Sequence, residues 1–355
     1  MQISVACPGE LGPREITAWH SMQRLTTSLA SPFLSPEFAI AVGHFRPEAR
    51  VAVLADGPEI VGFFPFERRR LGVGVPIGAG LNDCQGLIHA PGVEWDPQEL
   101  LRACQVPVWQ FDHLIADQRP FERYAVAVAP SPVIDLSDGF GTYQEKLRAS
   151  SPKFCKNMGW KRRKLERDVG KLRFAMGSCD IPGLRTLMGW KSEQCRRNGW
   201  IDVFGRPWIV DFVDHLLAIS NDRFGGLISL LCAGETPVAG QFVLRSGNHI
   251  AGLFTAYDPG FSRYSPGIIQ VLQLIAELAA TGVNTIHMGP AADWKETLKT
   301  HDIRMAQGMV ANGLLTATAH RVRRAFVSWT GRQLSQHPPL FRAADQLLQH
   351  YGRNI

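Results

Sequence analysis

The chain has 355 residues, 45% of them apolar and 20% charged, with a formal net charge of +6. That is the size of two ordinary domains or one large one, and the composition of an ordinary globular protein. No apolar run approaches the roughly 18 residues that span a bilayer, and seven cysteines without a C-x-x-C spacing argue against a disulfide framework or a zinc site.

The opening MQISVACPGELGPRE has neither a basic n-region nor an apolar h-region, so a cytoplasmic protein is expected. Ser35 to Phe45 reads as an apolar helix. Val53 to Arg68 follows as two strands around a Gly-Pro turn. Further strands are expected at Val75, Gly86 to His89, Trp109 to Leu114, Tyr124 to Val128 and Ser131 to Leu136, with a short helix over Glu99 to Cys104. Helices then run from Phe140 to Ala149 and from Pro152 to Asp168, where Gly170 stops the second. Residues 146 to 173 hold eleven Lys or Arg against two acids, leaving 27 basic against 30 acidic elsewhere, so the basicity is local. Such a field attracts phosphates, anionic lipid or nucleic acid, and a solvated linking helix fits it equally.

Lys171 to Met176 is a strand, and Ile181 to Arg197 a helix with Gly199 just beyond. A helix over Pro207 to Ile219 leads to a three-strand meander: Leu227 to Cys232, Pro237 to Arg245 and His249 to Ala256. The helix-then-hairpin order repeats the first half, with V-A-G-x-F echoing V-x-G-x-F, which points to two related halves. Tyr264-Ser265-Pro266-Gly267 opens the next helix, Gly282 closes it, and Val283 to Met288 is a short strand before the Lys295 loop. The tail from Ala319 to His350 reads as an amphipathic helix interrupted at Pro338-Pro339. Its arginines beside Phe326 and Trp329 fit a membrane surface, a capping helix or a regulatory nucleotide.

Ser265 can cap its helix, Pro266 suits the first helical position, and Gly267 lets a ligand approach backbone N–H groups that carry partial positive charge. An anion such as a pyrophosphate fits this turn. A well-capped core helix that binds nothing fits the same spacing.

Taken in order, SPFLSPEFAIAV, VAVLADGPEIVGFFPF, LNDCQGLI, KNMGWKRRKLERDVGKLRF, GWKSEQCRRNGWIDVF and the block from Tyr264 to Lys295 resemble the CelD-like acetyltransferase-domain branch of the GNAT superfamily, a relative of the Fem-type tandem-GNAT transferases. The resemblance covers roughly Trp19 to Lys299. It implies a mixed α/β fold of two GNAT-like halves, each a twisted sheet flanked by helices: residues 1–140, a basic linking helix over 141–170, an active-site half over 171–318, and the helical tail over 319–355. It also implies acyl transfer from acetyl-CoA or another acyl-CoA to an amine or hydroxyl. The expected acceptor is an amino-sugar, or a polysaccharide or glycolipid precursor of the bacterial cell envelope. Peripheral contact with the anionic inner membrane fits the basic helix.

A GNAT-type transfer needs a cradle for the donor diphosphate, an N–H for the carbonyl oxyanion, and a group that takes a proton. Arg263, Tyr264, Ser265 and Gly267 are the candidate donor-binding residues. Asp83, Glu193, His287 and Asp293 are candidate bases. His287 has an intrinsic pKa near neutrality, though a core histidine fits a lone His on an apolar strand, and an Asx turn fits Asp83. Lys295 is the favoured single residue, to bind a phosphate or polarise a carbonyl. Lys191 and Gln194 share a helix face and, with Asp293, are candidate acceptor ligands. Two departures from the resemblance stand out: His287 replaces an acidic residue, and Trp294 replaces a tyrosine. The alternatives are a Fem-type transferase drawing on aminoacyl-tRNA and a non-catalytic regulatory protein on the same scaffold. A nucleic-acid-binding module is not expected, because the charge sits on one helix and no nucleic-acid motif accompanies it.

Overall fold

The computed structural model describes residues 1–69, 72–177, 180–219, 221 and 223–312. The tail expected over 319–355 lies outside the described residues. The chain divides into two compact units that are not contiguous halves. The first takes Met1–Ile134, His249–Ala251 and the stretch from His287, and the second takes Asp135–Asn248 and Gly252–Ile286.

The first unit begins with β1 (Gln2–Ala6), α1 (Pro13–Leu25) and α2 (Pro36–Phe45). Ser35 caps α2, its Oγ accepting from the Phe38 N–H at 3.1 Å, and Pro36 supplies the fixed φ of a first helical residue. The helix buries Phe38, Ala39 and Val42. Next come β2 (Ala49–Asp56), β3 (Glu59–Arg68), β4 (Val73–Pro76), β5 (Ile88–His89), α3 (Pro97–Ala103), β6 (Val108–Ile115), α4 (Arg119–Glu122) and β7 (Ala125–Asp135).

Prolines at 130 and 132 argue for two separate strands, yet β7 is one. Pro132 O accepts from Met288 N at 3.0 Å, so the prolines' missing N–H positions point toward that side. The ladder on the other side runs through both prolines, pairing Pro130 with Arg304 and Pro132 with Asp302, and shifts register only between Gln307 and Gly308. It pairs β7 with a strand that the sequence reading does not contain, His301–Ala311, which also pairs with β6.

The second unit contains α5 (Gly139–Ser150), α6 (Pro152–Asp168), β8 (Leu172–Gly177), α7 (Ile181–Asn198), α8 (Pro207–Ala218), β9 (Phe224–Ala233), β10 (Thr236–Ser246), β11 (His249–Tyr257), α9 (Pro266–Ala280) and β12 (Thr285–His287). The first three residues of β11 and the last of β12 count with the first unit. Two elements close the described chain, α10 (Asp293–Glu296) and β13 (His301–Ala311).

In the first unit the strands run β1-β2-β3-β4-β6-β13-β7, with β5 beside β3; β4 and β6 are parallel, and the pairs β1–β2, β2–β3, β3–β4, β3–β5, β6–β13 and β13–β7 are antiparallel. Phe64, Phe66, Trp109, Phe111 and Phe121 form the aromatic centre of its core. In the second unit the order is β12-β11-β10-β9-β8. The repeated hairpins are both real: β2–β3 turns at Gly57 and β9–β10 at Gly234, each at positive φ, and each carries a bulge. Both follow an apolar helix. The fold is therefore mixed α/β, as the sequence predicts.

Candidate active site

The second unit places α9 directly after its meander. Asp258 starts the connecting turn, its Oδ1 accepting from Gly260 N at 2.8 Å. Tyr264 then buries its ring among Leu165, Leu231, Val238 and Ile269. Its hydroxyl donates to Asp168 Oδ2 at 3.1 Å and accepts from Arg263, whose guanidinium also lies 4.6 Å from the ring centroid. Tyr264 thus anchors the turn to the end of α6.

The capping expected of Ser265 does not occur. Ser265 sits in the left-handed region at φ 53°, ψ 50°, and its side chain makes no cap bond. Its Oγ instead accepts from Lys161 Nζ at 2.7 Å. The first backbone bonds of α9 run from Ile268 N and Ile269 N to Ser265 O. A Cβ at Gly267 would meet only the Tyr257 ring, at an ordinary 3.4 Å. Ligand approach to the helix start is therefore sterically open at Gly267, and Lys161, bonded to Ser265, supplies positive charge beside it, while the Arg263 guanidinium is turned to the Tyr264 hydroxyl. This chemistry fits a diphosphate. The sequence reading omits Lys161; its place on a basic helix, without a contact partner visible in sequence, gave no signal for this turn.

Elsewhere in the second unit, Lys191 Nζ donates to Gln194 Oε1 at 3.0 Å and lies 5.9 Å from the Trp200 ring centroid. Burial lowers the pKa of this lysine. Two of the three expected acceptor ligands, Lys191 and Gln194, are thus in contact on α7, one turn apart. Glu193 between them is exposed.

The first unit gathers Asp83 and Lys295 around Gly289. Asn82 and Gln85 build the loop that presents Asp83. Asn82 Oδ1 accepts from Cys84 N at 2.9 Å, and its amide donates to Ile77 O at 3.0 Å. Gln85 Oε1 accepts from Asp112 N and His113 N, both at 3.1 Å, and its amide donates to Asp112 Oδ1. Gly289 adopts φ 75°, open to glycine and strained for other residues. A Cβ there would stand 2.8 Å from Asp83 Oδ2 and 3.9 Å from Lys295 Nζ. The two charged groups thus converge on one glycine.

Burial pushes the Asp83 carboxyl up to about 6, against the opposing pull of His113 and Lys295. His113 Nδ1 stands 3.2 Å from Asp112 Oδ1. That bond raises the imidazole pKa despite burial, with help from Asp83. Burial would raise Asp112, but hydrogen bonds with His113 and Gln85 outweigh it and hold the carboxyl below its ordinary value. A carboxyl titrating near 6 suits proton transfer close to neutrality. Asp112 and His113 are absent from the sequence reading. A charged pair inside the apolar strand VWQFDHLI was the available signal.

Lys295 donates to Met288 O at 2.6 Å and Pro290 O at 2.7 Å, and lies 5.4 Å from the Trp294 ring centroid. It therefore shapes the Gly289 turn as well as charging it. Ser131 Oγ holds the same turn by donating to Gly289 O at 3.1 Å. Asp293 is exposed in the first turn of α10.

The intrinsic-pKa argument for His287 fails. Burial, with the nearby His249 and His301, drives its imidazole down to about 4. Both ring nitrogens are buried without a hydrogen-bond partner among the described residues. A base this weak is poorly matched to proton uptake near neutrality.

No helix among the described residues is long and apolar enough to cross a membrane. Residues 152–296 match a family model described as an acetyltransferase (GNAT) domain. No curated protein matches the chain. Among solved structures, the C-terminal domain (DUF2156) of a protein named as a lysylphosphatidylglycerol synthetase from Agrobacterium fabrum is similar, with 12% identity and a TM-score of 0.52 over 88% of this chain and 95% of that one. A tandem GNAT protein from the clavulanic acid biosynthesis pathway is similar at 10% identity and a TM-score of 0.50, over 88% of this chain and 99% of the other. At such identities the likeness is one of fold. Over residues 152–296, this chain carries an acetyltransferase (GNAT) domain, the module of an acyltransferase.

Proposed function

We propose that the protein is an acyl-CoA-dependent N- or O-acyltransferase of the CelD-like branch, acting on an amino-sugar or a polysaccharide or glycolipid precursor of the cell envelope. The observation that carries this reading is the turn at Ser265–Gly267 inside the matched domain, with a side-chain-free approach at Gly267 and Lys161 bonded to Ser265. Lys161, Arg263 and the first N–H groups of α9 would hold the donor's diphosphate. A bound thioester supplies the activated acyl group. Asp83 is the proposed proton acceptor, and Lys295 positions the Gly289 turn against it. Lys191 and Gln194 are proposed acceptor ligands. Cytoplasmic location and peripheral contact with an anionic membrane belong to the same proposal.

Calorimetric titration with acetyl-CoA tests it. Saturable binding that Gly267→Ala weakens supports the reading; absence of binding overturns it.

A second reading, transfer from aminoacyl-tRNA, is favoured by the exposed Lys153, Lys156, Arg162, Arg163 and Arg167 of α6. It predicts tRNA affinity that falls steeply with salt and no acyl-CoA binding. Acyl-CoA binding together with salt-insensitive, weak tRNA affinity removes it.

A further inference from the structure

A groove of about 380 Å³ runs between α5, α6 and α9 in the second unit, within the size range of small-molecule sites. Its buried lining is Tyr143, Leu147, Met158 and Ile269, flanked by half-buried Phe154 and Leu272. The charged residues in the lining are Arg148 and Arg162, both exposed, and no lining residue is acidic. Arg162 has a long ion pair with Glu166, 3.9 Å, one turn along α6. An apolar trough with cations at its mouth is complementary to one kind of ligand: a single hydrocarbon chain ending in an anion.

We infer that this groove is a binding site for a single-chain anionic amphiphile, a fatty carboxylate, with its chain along Leu147, Met158 and Ile269 and its carboxylate at Arg148 and Arg162. The site shares no residue with the proposed donor turn or the Asp83 cluster, so it is independent of the acyltransferase reading. Burial of the hydrocarbon chain against these apolar side chains drives binding. The two arginines select the sign of the headgroup. The chain's own residues 319–355 are a less suitable occupant. They carry six arginines against one acid, the same sign as the groove's mouth.

Cys155 lies in the lining and provides a built-in reporter; its thiol is half-buried and 3.8 Å from Leu147 O. The test uses the full chain and myristate below its micellar concentration. Binding is followed by calorimetry, and alkylation of Cys155 by N-ethylmaleimide is followed by peptide mass spectrometry. Expected results are saturable binding and at least fivefold slower alkylation of Cys155, while Cys7 is unaffected. Ala276→Trp and Gly159→Leu, two ways of filling the groove, should each weaken binding tenfold or more. Arg148→Glu with Arg162→Glu should weaken myristate at least fivefold and leave dodecyl maltoside unchanged. Absence of saturable myristate binding overturns the inference, whether the groove is closed or covered by residues 313–355. So does binding that leaves Cys155 alkylation unchanged, or binding indifferent to both filling variants in protein that retains its far-ultraviolet circular dichroism.

Discussion

Lys161 Nζ donates to Ser265 Oγ at 2.7 Å, joining the basic helix α6 to the left-handed residue that starts α9 across more than a hundred positions of sequence. The bond gives one member of the basic segment a defined place. If the turn holds a diphosphate, Lys161→Met removes a charge-assisted contact and should weaken acetyl-CoA by about tenfold or more. The same variant should leave the α6–α9 packing intact, because Leu165 and Ile269 share one buried cluster there. Calorimetry and a thermal melt check the two halves of this statement.

Gly267→Ala separates folding from binding. The new methyl meets only the Tyr257 ring at 3.4 Å, and alanine is favoured over glycine in a helix by up to about 1 kcal/mol. Stability should hold or rise slightly, while acetyl-CoA affinity falls about tenfold. A drop in both would mean that Gly267 serves packing alone.

Asp83 and His287 should pull stability in opposite directions between pH 4 and 6. The folded Asp83 carboxyl, at about 6, keeps a proton that the unfolded chain releases near 3.8. Its contribution is therefore present below about 3.8 and lost as pH rises through 6. His287, at about 4 when folded and 6.5 when unfolded, contributes stability above 6.5 that is lost as pH falls through 4. Each effect is on the order of 1 kcal/mol per pH unit inside that window. Asp83→Asn should make stability climb more steeply with pH, and His287→Leu should make it fall with pH. Urea melts at half-unit steps measure both slopes, and parallel slopes in the two variants would contradict the assignment.

Asp83 should also shape the activity profile. As the proposed proton acceptor, it places an acid limb near pH 6 in kcat/KM, with activity falling below it. Asp83→Asn should cut turnover by about a hundredfold or more and abolish that limb. His287→Leu should leave the limb in place. An unchanged limb in Asp83→Asn would assign the proton to another group.

Much of the architecture was legible because its signals are local. Ser35-Pro36 and Asp180 ahead of Pro182 mark helix starts, Gly199 at φ 66° ends α7, and the Gly57 and Gly234 turns set both hairpins. β13 was not legible. His301, Asp302 and Arg304 give it no clean alternation, and Gly308 lowers its strand propensity. The glycine is there because a Cβ would come within 2.2 Å of Tyr124 O and 2.6 Å of Phe111. That requirement arises from strands distant in sequence. The site followed the same rule. Asp83, Lys295 and Gly267 stood in recognisable turns. Asp112, His113 and Lys161 act through neighbours 27 to 104 residues away, which spacing cannot reveal. His287 shows the converse, a residue whose chemistry was overturned by burial.

A structure of the protein with acetyl-CoA tests the central claim most directly. The account predicts the diphosphate at the backbone of Ser265–Gly267 with Lys161 Nζ in contact. Coenzyme A bound away from the start of α9, or a turn that admits no anion at saturating ligand, would contradict it.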